Sequence, residues 1–139
     1  MADDFIAGLN DQEQQRYQKL GRLRERNINP YPLRSARTHT AREAIDAYNR
    51  GETVTGAKLV GRLIALRDMG KLSFTHIQDG TAKIQLMFHK DKVGADHYAM
   101  LLKDFDLGDF IGVEGDVIKT KTGEITLQVT RFEMLAKTL

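Results

Sequence analysis

Phe74 lies in the run L-S-F-T-H-I-Q at residues 72–78, where strand alternation sends Ser73, Thr75 and Ile77 to one face and Phe74, His76 and Gln78 to the other. The ring therefore keeps polar company. In the next run, residues 83–88, Ile84, Leu86 and Phe88 make an apolar face while Lys83, Gln85 and Met87 point away, so Gln85 shares the outer side with Phe74. A solvent-facing ring beside an amide, with Arg67 and Lys71 just upstream, suits a flat polar ligand such as a nucleobase. The ring offers a stacking surface, and the amide and guanidinium offer hydrogen bonds to the ligand's edge. A register shifted by one residue turns Phe74 into the core instead.

Other chemistry is sparse. The chain has no cysteine, which excludes disulfides, thiolate metal sites and cysteine nucleophiles. His39, His76, His89 and His97 lack the spacing of a helical metal pair and read as structural or surface residues. Asp104, Asp106 and Asp109 surround Gly108 in what reads as a solvated turn rather than an acid–base pair. Gly108, Gly112 and Gly115 are not followed by G-K-[ST], so barrel geometry is a better reading than a phosphate loop. No catalytic residue and no metal ligand is expected.

Charge is unevenly spread along the 139 residues, although the formal total is only +2. Residues 11–42 hold eight basic side chains (Arg16, Lys19, Arg22, Arg24, Arg26, Arg34, Arg37, Arg42) against Asp11, Glu13 and Glu25, a surplus of five. Residues 58–137 hold twelve basic and eleven acidic ones, a surplus of one. The basic segment attracts a polyanion over about 10 Å in moderate salt, or it is simply a solvated helix face. No apolar run approaches the roughly 20 residues that span a bilayer, and M-A-D-D-F-I lacks a basic secretory start. A cytoplasmic location without a membrane partner is expected.

The elements that must position these residues follow from caps and periods. Residues 1–10 read as a flexible tail and residues 11–53 as a helical extension. In that extension Asn10 with Glu13 opens a helix to about Asn27, with a thin stripe of Tyr17, Leu20 and Leu23. Asn29-Pro30-Tyr31-Pro32 forces an extended segment, and Thr40 with Glu43 opens a short helix that Gly51 closes. Residues 54–139 read as five strands. Residues 54–66 form a long first strand bent at Gly56 and Gly61, and the runs 72–78 and 83–88 form a hairpin around Asp79-Gly80. A helix over 97–103 buries Tyr98, Leu101 and Leu102. The fourth strand, 110–119, turns Ile111, Val113 and Val117 inward. The fifth turns Ile125, Leu127 and Val129 inward, with Glu124, Thr126 and Gln128 outward. The expected class is mainly β with an α appendage: a five-stranded OB-fold Greek-key barrel preceded by N-terminal helices, a fold that binds oligonucleotides or oligosaccharides across strands 2 and 3.

N-P-Y-P at 29–32, R-D-M-G-K-L-S-F-T-H-I-Q-D-G at 67–80, K-I-Q-L at 83–86, D-L-G-D-F-I-G-V-E-G at 106–115 and K-T-K-T-G-E-I-T-L at 119–127 occur in this order. Together they resemble the N-terminal anticodon-binding domain of class II lysyl-tRNA synthetases, over about residues 16–139. Aspartyl and asparaginyl members share the arginine, phenylalanine and glutamine pattern, whereas N-P-Y-P and K-T-K-T-G-E favour the lysyl one. The resemblance implies that Phe74 stacks on the central anticodon base, that Gln85 and Arg67 bond to anticodon bases, and that Glu124 contacts a neighbouring base. It places Arg22, Arg24, Arg26 and Lys71 near the RNA backbone. It also implies a lysine tRNA partner and a homodimeric parent whose catalytic domain, using ATP and Mg, follows where this sequence stops, so the chain is expected to be a fragment or an orphan homologue. This stretch itself is expected to need no cofactor. Two other readings stay open: a free-standing module binding single-stranded nucleic acid without sequence preference, and a domain used only for dimerisation.

Overall fold

A computed structural model describes residues 37–138. The predicted tail, the helix over 11–27, the N-P-Y-P segment and Arg22, Arg24 and Arg26 lie outside them. The first described element, helix α1 (Ala41–Asn49), begins where Thr40 and Glu43 satisfy each other's backbone amides, the capping box expected from their spacing. It ends in a Schellman turn. Gly51, at φ +87°, donates to the Tyr48 carbonyl and Glu52 donates to that of Ala47.

Period-two alternation then carries the chain through β1 (Ala57–Asp68), β2 (Leu72–Gln78) and β3 (Lys83–His89). A single helical turn α2 (Lys90–Val93) and helix α3 (Ala95–Asp104) lead to β4 (Phe110–Lys119) and β5 (Ile125–Ala136). The strands close in the order β1-β2-β3-β5-β4, with β4 returning to β1. All pairs are antiparallel except β3 with β5. This is the five-stranded OB-fold barrel expected from the sequence.

The inner face is apolar and closed: Leu59, Leu63, Ile77, Ile84, Leu86, Phe88, Ile111, Leu127, Val129 and Met134 are buried there. Phe132 meets Phe88 edge-on at 5.0 Å and Phe105 at 5.4 Å, extending the core to the end of α3. Helix α3 buries Tyr98, Met100 and Leu101, while Leu102, expected inside, is only half-buried against the core.

Three local expectations need correction. The strand-1 irregularity falls between Leu63 and Ala65 rather than at Gly56 or Gly61; Gly56, at φ +61°, precedes the strand. Asp104 and Asp109 are not solvated but fully buried. The Lys137 ammonium, reaching back from beyond β5, spends its three donors on Asp109 Oδ2 (2.6 Å), Asp106 Oδ2 (2.8 Å) and the Asp104 carbonyl (3.0 Å). An ion pair so distant in sequence leaves no local trace. Thr126 lies on the outer side of β5 as expected, but neighbouring strands cover it completely.

Asp79 organises the β2–β3 turn and anchors α1. Its Oδ1 accepts from the Thr81 amide and hydroxyl and from the Ala82 amide, and its Oδ2 accepts from the Ala41 amide at 2.8 Å. Burial pulls this carboxyl upward, but the hydrogen bonds from Ala41, Thr81 and Ala82 prevail and hold it below the ordinary carboxylate value. A depressed folded pKa stabilises the protein above the unfolded value of about 3.9 and loses that contribution as pH falls through the folded one. Wild type should therefore lose more stability than Asp79→Asn between about pH 5 and pH 2, read from urea midpoints at each pH. At the β4–β5 irregularity, a Cβ on Gly115 would overlap the Gln128 carbonyl, whereas one on Gly80 meets open space. Thermal denaturation should show Gly115→Ala destabilising by about 2–4 kcal/mol and Gly80→Ala by less than about 0.5 kcal/mol.

Candidate nucleic-acid interface

Pairing registers convert the alternation of single strands into rows across the barrel's outer face. One row runs Arg67, Phe74, Met87, Gln128 over β1, β2, β3 and β5. The next runs Ala65, His76, Gln85, Thr126, Ile118 over β1, β2, β3, β5 and β4. Directly paired residues stand about 5 Å apart at Cβ, and Phe74 and Gln85 are diagonal neighbours. Phe74 is half-buried while Ser73, Thr75 and Ile77 are enclosed, so the ring lies on the outer side. Arg67 is exposed opposite it, and Lys71 is exposed in the β1–β2 turn.

Glu124 joins the second row through two contacts. The β4–β5 turn holds its backbone: the Glu124 carbonyl accepts from the Thr120 amide at 3.0 Å and from the Thr126 hydroxyl at 3.0 Å. Its carboxylate comes within 3.7 Å of His76 Nε2, an ion pair when the imidazole is protonated. Gln85 Nε2 donates to Thr126 Oγ1 at 3.0 Å. Ring, imidazole, amide and carboxylate thus form one array, with a cation at the Phe74 end.

Helix α3 ties down the edge of this array. Tyr98 donates its hydroxyl proton to the Gly70 carbonyl at 2.7 Å, so Ser73 Oγ, 2.7 Å from the Tyr98 hydroxyl oxygen, must donate to that hydroxyl. The β1–β2 turn carrying Lys71 is thereby fastened to the interior.

Arg67, Phe74, Gln85 and Glu124, singled out from the sequence, are brought onto one face; Lys71 stands at its rim. His76, Met87 and Thr126 also belong to the rows, with Ala65, Gln128 and Ile118 at their ends, and sequence reasoning does not single them out. Alternation already put His76 beside Phe74, and Met87 beside Gln85, but only the β3–β5 register reveals Thr126. A separate concavity between β1, β4 and β5 is lined by Arg37, Lys58, Val60, Gly112, Glu133 and Leu135 and shares no residue with the platform. Burial there pushes the Glu133 carboxyl up, against an opposing pull from Arg131. Among the described residues, no group of three or more His, Asp or Glu assembles in metal-binding geometry, and no helix is long and apolar enough to cross a membrane.

Comparison with known proteins bears on the fold and the family. A family described as an OB-fold nucleic acid binding domain matches residues 57–135, more than half of the chain. The lysine–tRNA ligase of Carboxydothermus hydrogenoformans is 44% identical over 131 residues, covering 94% of this chain and 26% of the relative. That of Bacillus subtilis is 42% identical over 137 residues, covering 94% and 27%. That of Streptococcus pneumoniae is 38% identical over 148 residues, covering 100% and 29%. The chain thus spans little more than a quarter of the length of these relatives.

The two phenylalanines of the hairpin should part company in stability. Phe88→Ala, which empties a fully buried site, should destabilise by about 3–5 kcal/mol, whereas Phe74→Ala on the outer side should cost about 1 kcal/mol in chemical denaturation. Equal losses would place Phe74 in the core.

Proposed function

The chain belongs to the family of OB-fold nucleic acid binding domains, and from that premise we propose that it recognises the anticodon of lysine tRNA as the N-terminal part of a lysine–tRNA ligase. The observation that carries the proposal is the half-exposed Phe74 ring sharing one outer face with Gln85, Arg67 and Glu124. Lysine anticodons are rich in uridine, whose edge offers carbonyl acceptors at O2 and O4 and a donor at N3. Phe74 stacks on the central base, contributing about 1–3 kcal/mol without choosing it. Gln85 and Arg67 supply donors to the uridine carbonyls, the Gln85 carbonyl accepts from N3–H, and Glu124 accepts from a neighbouring base. Lys71 and the basic residues Arg22, Arg24 and Arg26 contact phosphate, which positions the RNA without reading it.

In this proposal the joining of lysine to tRNA belongs to the longer protein, a cytoplasmic homodimer using ATP and Mg in protein synthesis. The module described here contributes selection of the tRNA.

Titration of the chain with lysine tRNA, and with the same tRNA carrying cytidine at the central anticodon position, tests the proposal. Wild type should prefer the uridine form. Phe74→Ala should weaken both by about 1–3 kcal/mol, and Gln85→Ala or Glu124→Ala should narrow the difference between them. Equal wild-type affinities would replace anticodon reading by binding of single-stranded RNA without preference, and absence of binding would leave only a dimerisation role.

A further inference from the structure

We propose that Thr126 is the positioning residue that makes the platform select uridine over cytidine, by fixing which end of the Gln85 amide meets the base; the inference rests on the anticodon reading above. Thr126 is fully buried, so it meets no ligand itself. Its hydroxyl owns one proton, and that proton goes to the Glu124 carbonyl oxygen at 3.0 Å. Towards Gln85 the same oxygen can therefore only accept, and Gln85 Nε2 donates to it at 3.0 Å. Turning the amide over would set its carbonyl oxygen against the threonine oxygen with no hydrogen between them.

The consequence is polarity. Gln85 keeps its carbonyl oxygen and its second N–H for the ligand, in one arrangement. Uracil presents an N3–H donor beside a carbonyl acceptor; cytosine presents an N3 acceptor beside an amino donor, the same edge with the roles exchanged. An amide free to turn over serves both bases equally, because its two ends are nearly the same size and shape. A locked amide serves one. The lock is built into the backbone, since the parallel register sets Gln85 and Thr126 side by side, and its far end is the Glu124 peptide, whose carboxylate faces His76.

The test uses the full chain and two hairpin RNAs, one displaying an unpaired U-U-U triplet and one U-C-U, with affinities measured for wild type, Thr126→Val and Thr126→Ser. Valine keeps the shape and removes the hydroxyl; serine keeps the hydroxyl. Thr126→Ala, also without a hydroxyl, stands in should valine fail to give a cooperative melt. Wild type and Thr126→Ser should prefer U-U-U, and the hydroxyl-free variants should lose about tenfold of that preference, chiefly by binding U-C-U better. A parallel fall in both affinities with an unchanged ratio would mark a merely structural threonine and overturn the lock while leaving anticodon reading intact. So would a hydroxyl-free variant that keeps the wild-type preference, or a serine variant that loses it. Wild type with no preference between the hairpins would overturn both.

Discussion

Parallel pairing of β3 with β5 closes the barrel and decides what its outer surface can do. Three residue pairs, Gln85 with Thr126, Leu86 with Leu127 and Met87 with Gln128, make this seam. Parallel strands place paired residues on the same face in step. The middle pair therefore fills the core, while the flanking pairs set an amide beside a hydroxyl and a thioether beside a second amide outside. Without the seam, β2 and β3 are a hairpin with a ring and an amide on one side, and Glu124 belongs to a distant turn.

The two faces of the hairpin are held differently: one packs the core, the other carries the groups proposed for recognition. Ile77, Ile84, Leu86 and Phe88 bury apolar surface inside, which drives folding without constraining their outer neighbours. Phe74, His76 and Gln85 are freed from core packing, and their placement depends on polar ties: Tyr98 to Gly70, Thr126 to Glu124, Asp79 to α1. Such ties are directional where hydrophobic burial is not, which suits a surface that must present donors and acceptors at set angles.

Much of this was legible from alternation and turn chemistry. The outer placement of Phe74 and Gln85 followed from counting by two, the α1 cap from Thr40 and Glu43, and the hairpin from Asp79. What escaped were relations between strands far apart in sequence. The covering of Thr126 requires knowing that Gln85 and Ile118 flank it, and the burial of Asp104 and Asp109 requires Lys137 to return from the other end of the domain. Glycines relax backbone sterics and so point to a bend at Gly56 or Gly61, yet the register shift falls beyond them, between Leu63 and Ala65, where β1 passes from pairing with β4 to pairing only with β2.

Fastening the β1–β2 turn to α3 through the shared Tyr98 hydroxyl has a thermodynamic corollary. Under the proposed reading, a β1–β2 turn that is already held needs little further ordering when RNA arrives, and at that turn the entropy penalty falls on the guest. The turn's own share of the heat-capacity change on binding then reflects surface covered by contact rather than coupled folding of that turn.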